Sequence, residues 1–229
     1  MEAADLGVRL CQEFRSSVYF CYLFPAIPVA AFCLASIQIA NWLPTLLLWC
    51  AKPWLDRSIL FALSRAAFGQ QSSWRDLWRE RRTVWRKQLI GSLTLRRLSP
   101  WRSLTQPVYQ LEGLSGGVLR KRVKQVRSGK TGSAMLMTSA FGFVEYSFLL
   151  ALISLLVWFA PPNRSSTVLD LFANDAGGDR FALILATAYC LTILFLEPFY
   201  VAAGFGMYLS RRVELEAWDI EQELRRAFA

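Results

Sequence analysis

The chain has 229 residues, of which 54% are apolar and 14% aromatic; twenty-six Lys and Arg face seventeen Asp and Glu, for a net charge of +9. It contains no histidine, which excludes Ser-His-Asp and Cys-His catalysis and the usual zinc sites, since each needs an imidazole. Apolar runs of span length, bounded by Trp, Tyr and Arg, place it in the all-α polytopic membrane class, so the positive charge reads as topology and attraction to anionic headgroups, not as nucleic-acid binding.

Residues 1–17 read as an amphipathic helix suited to the membrane interface, with Leu6, Val8, Leu10 and Phe14 among Arg9, Glu13 and Arg15. The acidic start and the length of the following apolar run do not fit a cleavable signal peptide, so the first span is expected to stay attached. Residues 18–68 form a first transmembrane hairpin. Its first limb, Val18 to about Ala40, carries Pro25 and Pro28 and turns at Asn41, Trp42 and Pro44. The second limb is interrupted by Lys52-Pro53-Trp54-Leu55-Asp56-Arg57, and its sequence alone fits either one continuous span or a broken helix. A full crossing is expected, because Arg9 and Arg15 and the cations from Arg65 onward then share one side.

That side is set by the block from Arg65 to Lys130, which holds sixteen of the twenty-six cations and only Asp76, Glu80 and Glu112 as acids. Lys and Arg collect on the cytoplasmic face of a bilayer, so residues 69–133 read as a basic cytoplasmic region lying on the interface. A capping-box pattern, Ser73 with Asp76, opens a cationic helix. Trp74, Trp78 and Trp85 lie on one side and Arg79, Arg82 and Arg86 on another, as for contact with lipid or a partner. A second helix is expected over Val108 to Val126, weakened at its start by Gly113, Gly116 and Gly117. Residues 134–209 form the second transmembrane hairpin, with limbs Ala134 to about Ala160 and Phe181 to about Leu209. Arg211 and Arg212 stop the last limb, and residues 210–229 form a charged cytoplasmic helix that includes Trp218. About four transmembrane helices result.

Five cysteines form no Cys-x-x-Cys pair, so neither a disulfide framework nor a metal site is read from them. Gly129-Lys130-Thr131 resembles the end of a phosphate-binding loop, but Lys124 stands where the loop needs glycine and no strand precedes it. No cofactor, catalytic residue or nucleic-acid module is indicated. The polar candidates lie within the spans. Glu145 and Glu197 each sit about eleven residues from a cytoplasmic end, roughly 17 Å deep at 1.5 Å per residue, and Lys52, Asp56 and Arg57 fall near that level. Unpaired, each would cost at least ~2.5 kcal/mol in the bilayer, so the five are expected to pair. The plainer expectation is an ion-pair network that locks helix packing; a proton or ion path is the other. Ala202 and Gly206 form a small-xxx-small pair, which marks close helix packing.

Several segments together resemble a family of uncharacterised polytopic inner-membrane proteins of gammaproteobacteria. They are Lys52 to Arg57, Leu63 to Gly69, Leu95 to Pro100, Pro107 to Gly113 and, most distinctively, Glu197-Pro198-Phe199-Tyr200-Val201-Ala202-Ala203-Gly204-Phe205-Gly206 followed by Arg211 to Ile220. The resemblance implies a bacterial inner membrane and a membrane complex, and no catalytic residue. The expected function is a non-enzymatic scaffold or subunit of an inner-membrane assembly, with both termini cytoplasmic. It would meet anionic headgroups and either a membrane-protein partner or further copies of itself. A small oligomeric transporter or channel subunit is the alternative, and a membrane enzyme the third.

Overall fold

The computed structural model describes residues 2–86, 99–159 and 178–227. The described residues contain no strand. The helices are α1 (Glu2–Glu13), α2 (Arg15–Ala35), α3 (Leu43–Ala66), α4 (Trp74–Arg79), α5 (Arg102–Leu111), α6 (Gly116–Arg127), α7 (Thr131–Trp158) and α8 (Gly178–Ala227). Three stretches are long and apolar enough to cross a membrane: Arg15–Gln38, Thr131–Leu156 and Gly178–Ala217. The chain is therefore an all-α protein of the membrane class.

The expected fourth span, α3, is one unbroken helix despite Pro53, about 36 Å long by its rise. Lys52, Asp56, Arg57 and Arg65 keep it out of the apolar three, and its position suits them. Every residue from Leu55 to Leu63 is buried, which makes α3 the innermost helix. It runs between the same two ends of the bundle as α8. The Asn41 turn before it lies beside Gly178, and Ser64 and Arg65 share a pocket with Tyr208 and Arg212. The start of α7 is tied to that second end by an ion pair from Lys130 to Glu214, 2.8 Å.

α8 is the axis of the fold. All eight residues from Val201 to Tyr208 are buried, because helices cover them from opposite sides. On one side α1 packs so closely that a Cβ on Gly7 would stand 2.1 Å from the Ala202 carbonyl oxygen, and one on Gly206 2.2 Å from that of Ala3. Ala3 meets Gly206 while Gly7 reaches Ala202, so α1 runs antiparallel to α8. On the other side a Cβ on Gly204 would stand 2.3 Å from that of Ser103 at the start of α5. Small side chains permit such close backbone approach. The Ala202–Gly206 pair thus packs as expected, but its partner is α1. The N-terminal helix is accordingly core-bound: Cys11 is fully buried, and burial pushes its thiol up to about 12, which leaves it inert.

The basic region departs most from its expected place. The capping box at Ser73 and Asp76 forms, yet α4 ends after six residues and a π-helical turn, Arg82–Arg86, follows. This strap folds back along α2 and α3. The Ser17 hydroxyl donates to the Ser72 carbonyl at 2.7 Å, and Trp74 stacks on Phe24 at 5.1 Å. The expected helix over residues 108–126 is two helices, α5 and α6, parted at Gly113, whose φ of 65° lies in the left-handed region. The span ending near Leu209 and the charged tail are one helix, α8, which continues through Arg211 and Arg212.

Candidate functional site

Lys52 and Asp56 are four residues apart on α3, so both project from one face. Glu145 from the middle of α7, Glu197 from α8 and Arg102 from the first position of α5 meet that face. Lys52 Nζ lies 2.9 Å from both carboxylate oxygens of Glu145 and 2.9 Å from Glu197 Oε2. Arg102 Nη2 lies 3.2 Å from Glu197 Oε1 and 3.0 Å from Asp56 Oδ2. The charges therefore alternate as a chain, Glu145–Lys52–Glu197–Arg102–Asp56, with Glu197 at its centre bonded to both cations. Burial deepens along it. The Glu145 side chain is 27% exposed, that of Glu197 3% and that of Asp56 0%. Charges so deeply buried persist only when paired and hydrogen-bonded.

A cavity of about 180 Å³ opens beside the chain, lined by Lys52, Arg102, Glu145, Glu197, Thr138 and Tyr200 among others. The Arg102 guanidinium stands 5.5 Å over the Tyr200 ring, a cation–π contact. The Tyr200 and Thr138 hydroxyls are 3.5 Å apart. Among the described residues, no three Cys, Asp or Glu side chains are grouped as a metal cage.

Four of the five residues expected to cluster do so. The fifth, Arg57, is buried elsewhere. Five residues along a helix rotate it by roughly 140° from Lys52, so it cannot share that face. Its Nη1 donates instead to the carbonyls of Val84 and Trp85, at 3.2 and 3.4 Å, and its own carbonyl accepts from Gln110 Nε2 at 2.9 Å. Arg57 therefore holds the π turn and α5 against α3. In place of Arg57 the site recruits Arg102, hidden in the sequence as one of sixteen cations in the basic block. Its one distinguishing signal is position: it follows Pro100 by two residues and opens the amphipathic helix α5, which runs through Pro107 to Leu111.

The expected lipid or partner contacts divide. Trp74 and Trp78 are nearly half exposed, with the guanidinium groups of Arg75 and Arg81 over their rings. Arg79 and Arg82 are exposed. Trp85 faces inward, donating from Nε1 to Ser58 Oγ at 3.1 Å and packing on Trp54. Arg211 pairs with Glu214 and Arg212 with Glu216. The side chains of Arg86 and Trp218 lie outside the described residues. Lys130, within the discarded phosphate-loop motif, is engaged with Glu214.

No protein-family model, no curated protein and no solved structure matches this chain.

Proposed function

We propose that this protein is a non-catalytic subunit or scaffold of a bacterial inner-membrane assembly. In this reading α2, α3, α7 and α8 cross the membrane, and both termini are cytoplasmic. The observation that carries it is the uneven covering of α7. Its most apolar stretch is 0% buried, against 39% for that of the first crossing and 50% for that of α8. Glu145 ties α7 to α3 through Lys52, and Phe141 and Phe148 meet Tyr200 and Phe195 of α8, while Phe143, Val144, Tyr146, Leu150, Leu155 and Leu156 face outward. Lipid can cover such a face, but so broad an uncovered apolar face is also what a subunit offers to a neighbour. The exposed cations on α6, Arg120, Lys121 and Lys124, suit anionic headgroups beside it.

The test is gentle extraction of the tagged full chain from its native membrane, followed by native mass measurement and composition analysis. A second membrane protein in fixed ratio is expected, released when Glu145→Gln loosens α7. A homogeneous monomer or homo-oligomer with no second protein would overturn the subunit reading.

A further inference from the structure

Among the described residues, the buried polar atoms that lack an aligned hydrogen-bond partner are strongly grouped. Both carboxylate oxygens of Asp56 are among them, as are Ser99 Oγ, Arg102 Nε, Ser103 Oγ, Gln106 Nε2 and Gln110 Oε1. These seven belong to α3 at Asp56 or to α5 and its approach; Ser72 Oγ and Arg211 Nε lie apart from them. Two cavities meet at Arg102: the one of about 180 Å³ beside Glu145, and one of about 30 Å³ lined by Thr105, Gln106 and Gln110 on the other side. Buried polar atoms go unbonded only at a cost of roughly 1–3 kcal/mol each. A polar cavity holds a water once it offers about 10–15 Å³ and two to four partners. Both cavities meet that size, and of the grouped residues Ser99 and Arg102 line the larger and Arg102, Gln106 and Gln110 the smaller.

The crowding of the acids points the same way. The site has three acids and two cations. Asp56 and Glu197 converge on a single nitrogen, Arg102 Nη2, and its aligned hydrogen bond goes to Glu197. Asp56 is left wholly buried, in charge contact with Arg102 and with its carboxyl set against that of Glu197. Two carboxyl groups crowded at one donor do not both ionise readily. The other groups facing the pair are Lys52 on α3, Glu145 on α7, Tyr189 and Tyr200 on α8, and Tyr22 on α2. A third buried cation, Arg57, lines the smaller cavity, but its Nη1 is turned to the Val84 and Trp85 carbonyls.

We propose that the cluster is a hydrated proton-binding site, in which water fills the cavities beside Arg102 and the Asp56–Glu197 carboxyl pair takes one proton from it. This inference goes beyond the subunit reading and does not rest on it.

Infrared spectroscopy of the purified full chain in lipid nanodiscs tests it. At neutral pH the carbonyl stretch of a protonated carboxylic acid is expected, moving to lower frequency soon after transfer to heavy water. It should be absent from Asp56→Asn, whose amide keeps the shape of the acid. Should that variant fail to fold, wild-type protein grown on aspartate with heavy carbon at the side-chain carboxyl shifts the same band without any substitution. Absence of the band overturns proton binding. A band that resists exchange with heavy water overturns hydration, and a band unmoved by both the variant and the label overturns the assignment to Asp56.

Discussion

Lys52 holds two acids at once, Glu145 and Glu197, each at 2.9 Å. Its replacement is therefore worse than the loss of either acid. Lys52→Met would leave Glu197 with Arg102 alone and Glu145 with no cation among the described contacts. Removing one partner of a buried pair costs about 3–5 kcal/mol. Lys52→Met is accordingly expected to unfold at markedly lower temperature in mild detergent. Glu145→Gln removes only the most exposed member and leaves Lys52 with Glu197, so its melting temperature should lie much nearer wild type. If the two variants melt together, the central role of Lys52 is wrong. Most of this cluster was readable from the chain, because a charge inside an apolar run is conspicuous and must pair. Arg57 was misplaced because its partners are backbone carbonyls of residues 84 and 85, which carry no side-chain signal. Arg102 was missed for the opposite reason: among many cations, one that turns inward looks like the rest.

At the scale of the elements, helix periodicity located α3 and α7 to within a few residues, but it split α8 at Leu209. It did not locate what the short ones pack against. Ala202 and Gly206 marked a close crossing, but residues 1–17 carry the pattern of an interfacial helix, and amphipathicity does not distinguish a lipid surface from an α8 surface. The glycines decide it. A Cβ at Gly7 would collide with backbone, which cannot swing aside as a side chain can, so Gly7→Ala should push α1 off α8. Overpacking of this kind costs about 1–3 kcal/mol, more than the ~0.5–1 kcal/mol that alanine gains over glycine within a helix. Gly142 on α7 is the matched control, since a Cβ there meets nothing within 4 Å. Thermal unfolding should show Gly7→Ala destabilised and Gly142→Ala unchanged or slightly stabilised; equal effects would remove the argument for tight α1 docking.

For the whole molecule, the number of crossings turns on α3. Crossings by α2, α7 and α8 alone would leave the two termini on opposite sides of the membrane; adding α3 returns them to the same side. The antiparallel docking of α1 supports the even number, because it sets Ala3 against Gly206, five residues before Arg211. Both the start of the chain and the charged end of α8 then lie at one end of the bundle, with Lys130 and Arg65 beside them. In the proposed orientation this cation-rich end is the cytoplasmic one. A helix with Lys52, Asp56 and Arg57 can still cross when its charges face protein, as intramembrane charges ordinarily do, and the unbroken burial from Leu55 to Leu63 gives α3 that setting. Reporter fusions check this directly. Alkaline phosphatase joined after Asn41 or within residues 161–177 should be active, and joined after residue 68, after residue 130 or at the C-terminus it should be inactive. An active fusion after residue 68 would mean that α3 does not cross, and the four-crossing arrangement would fall with it.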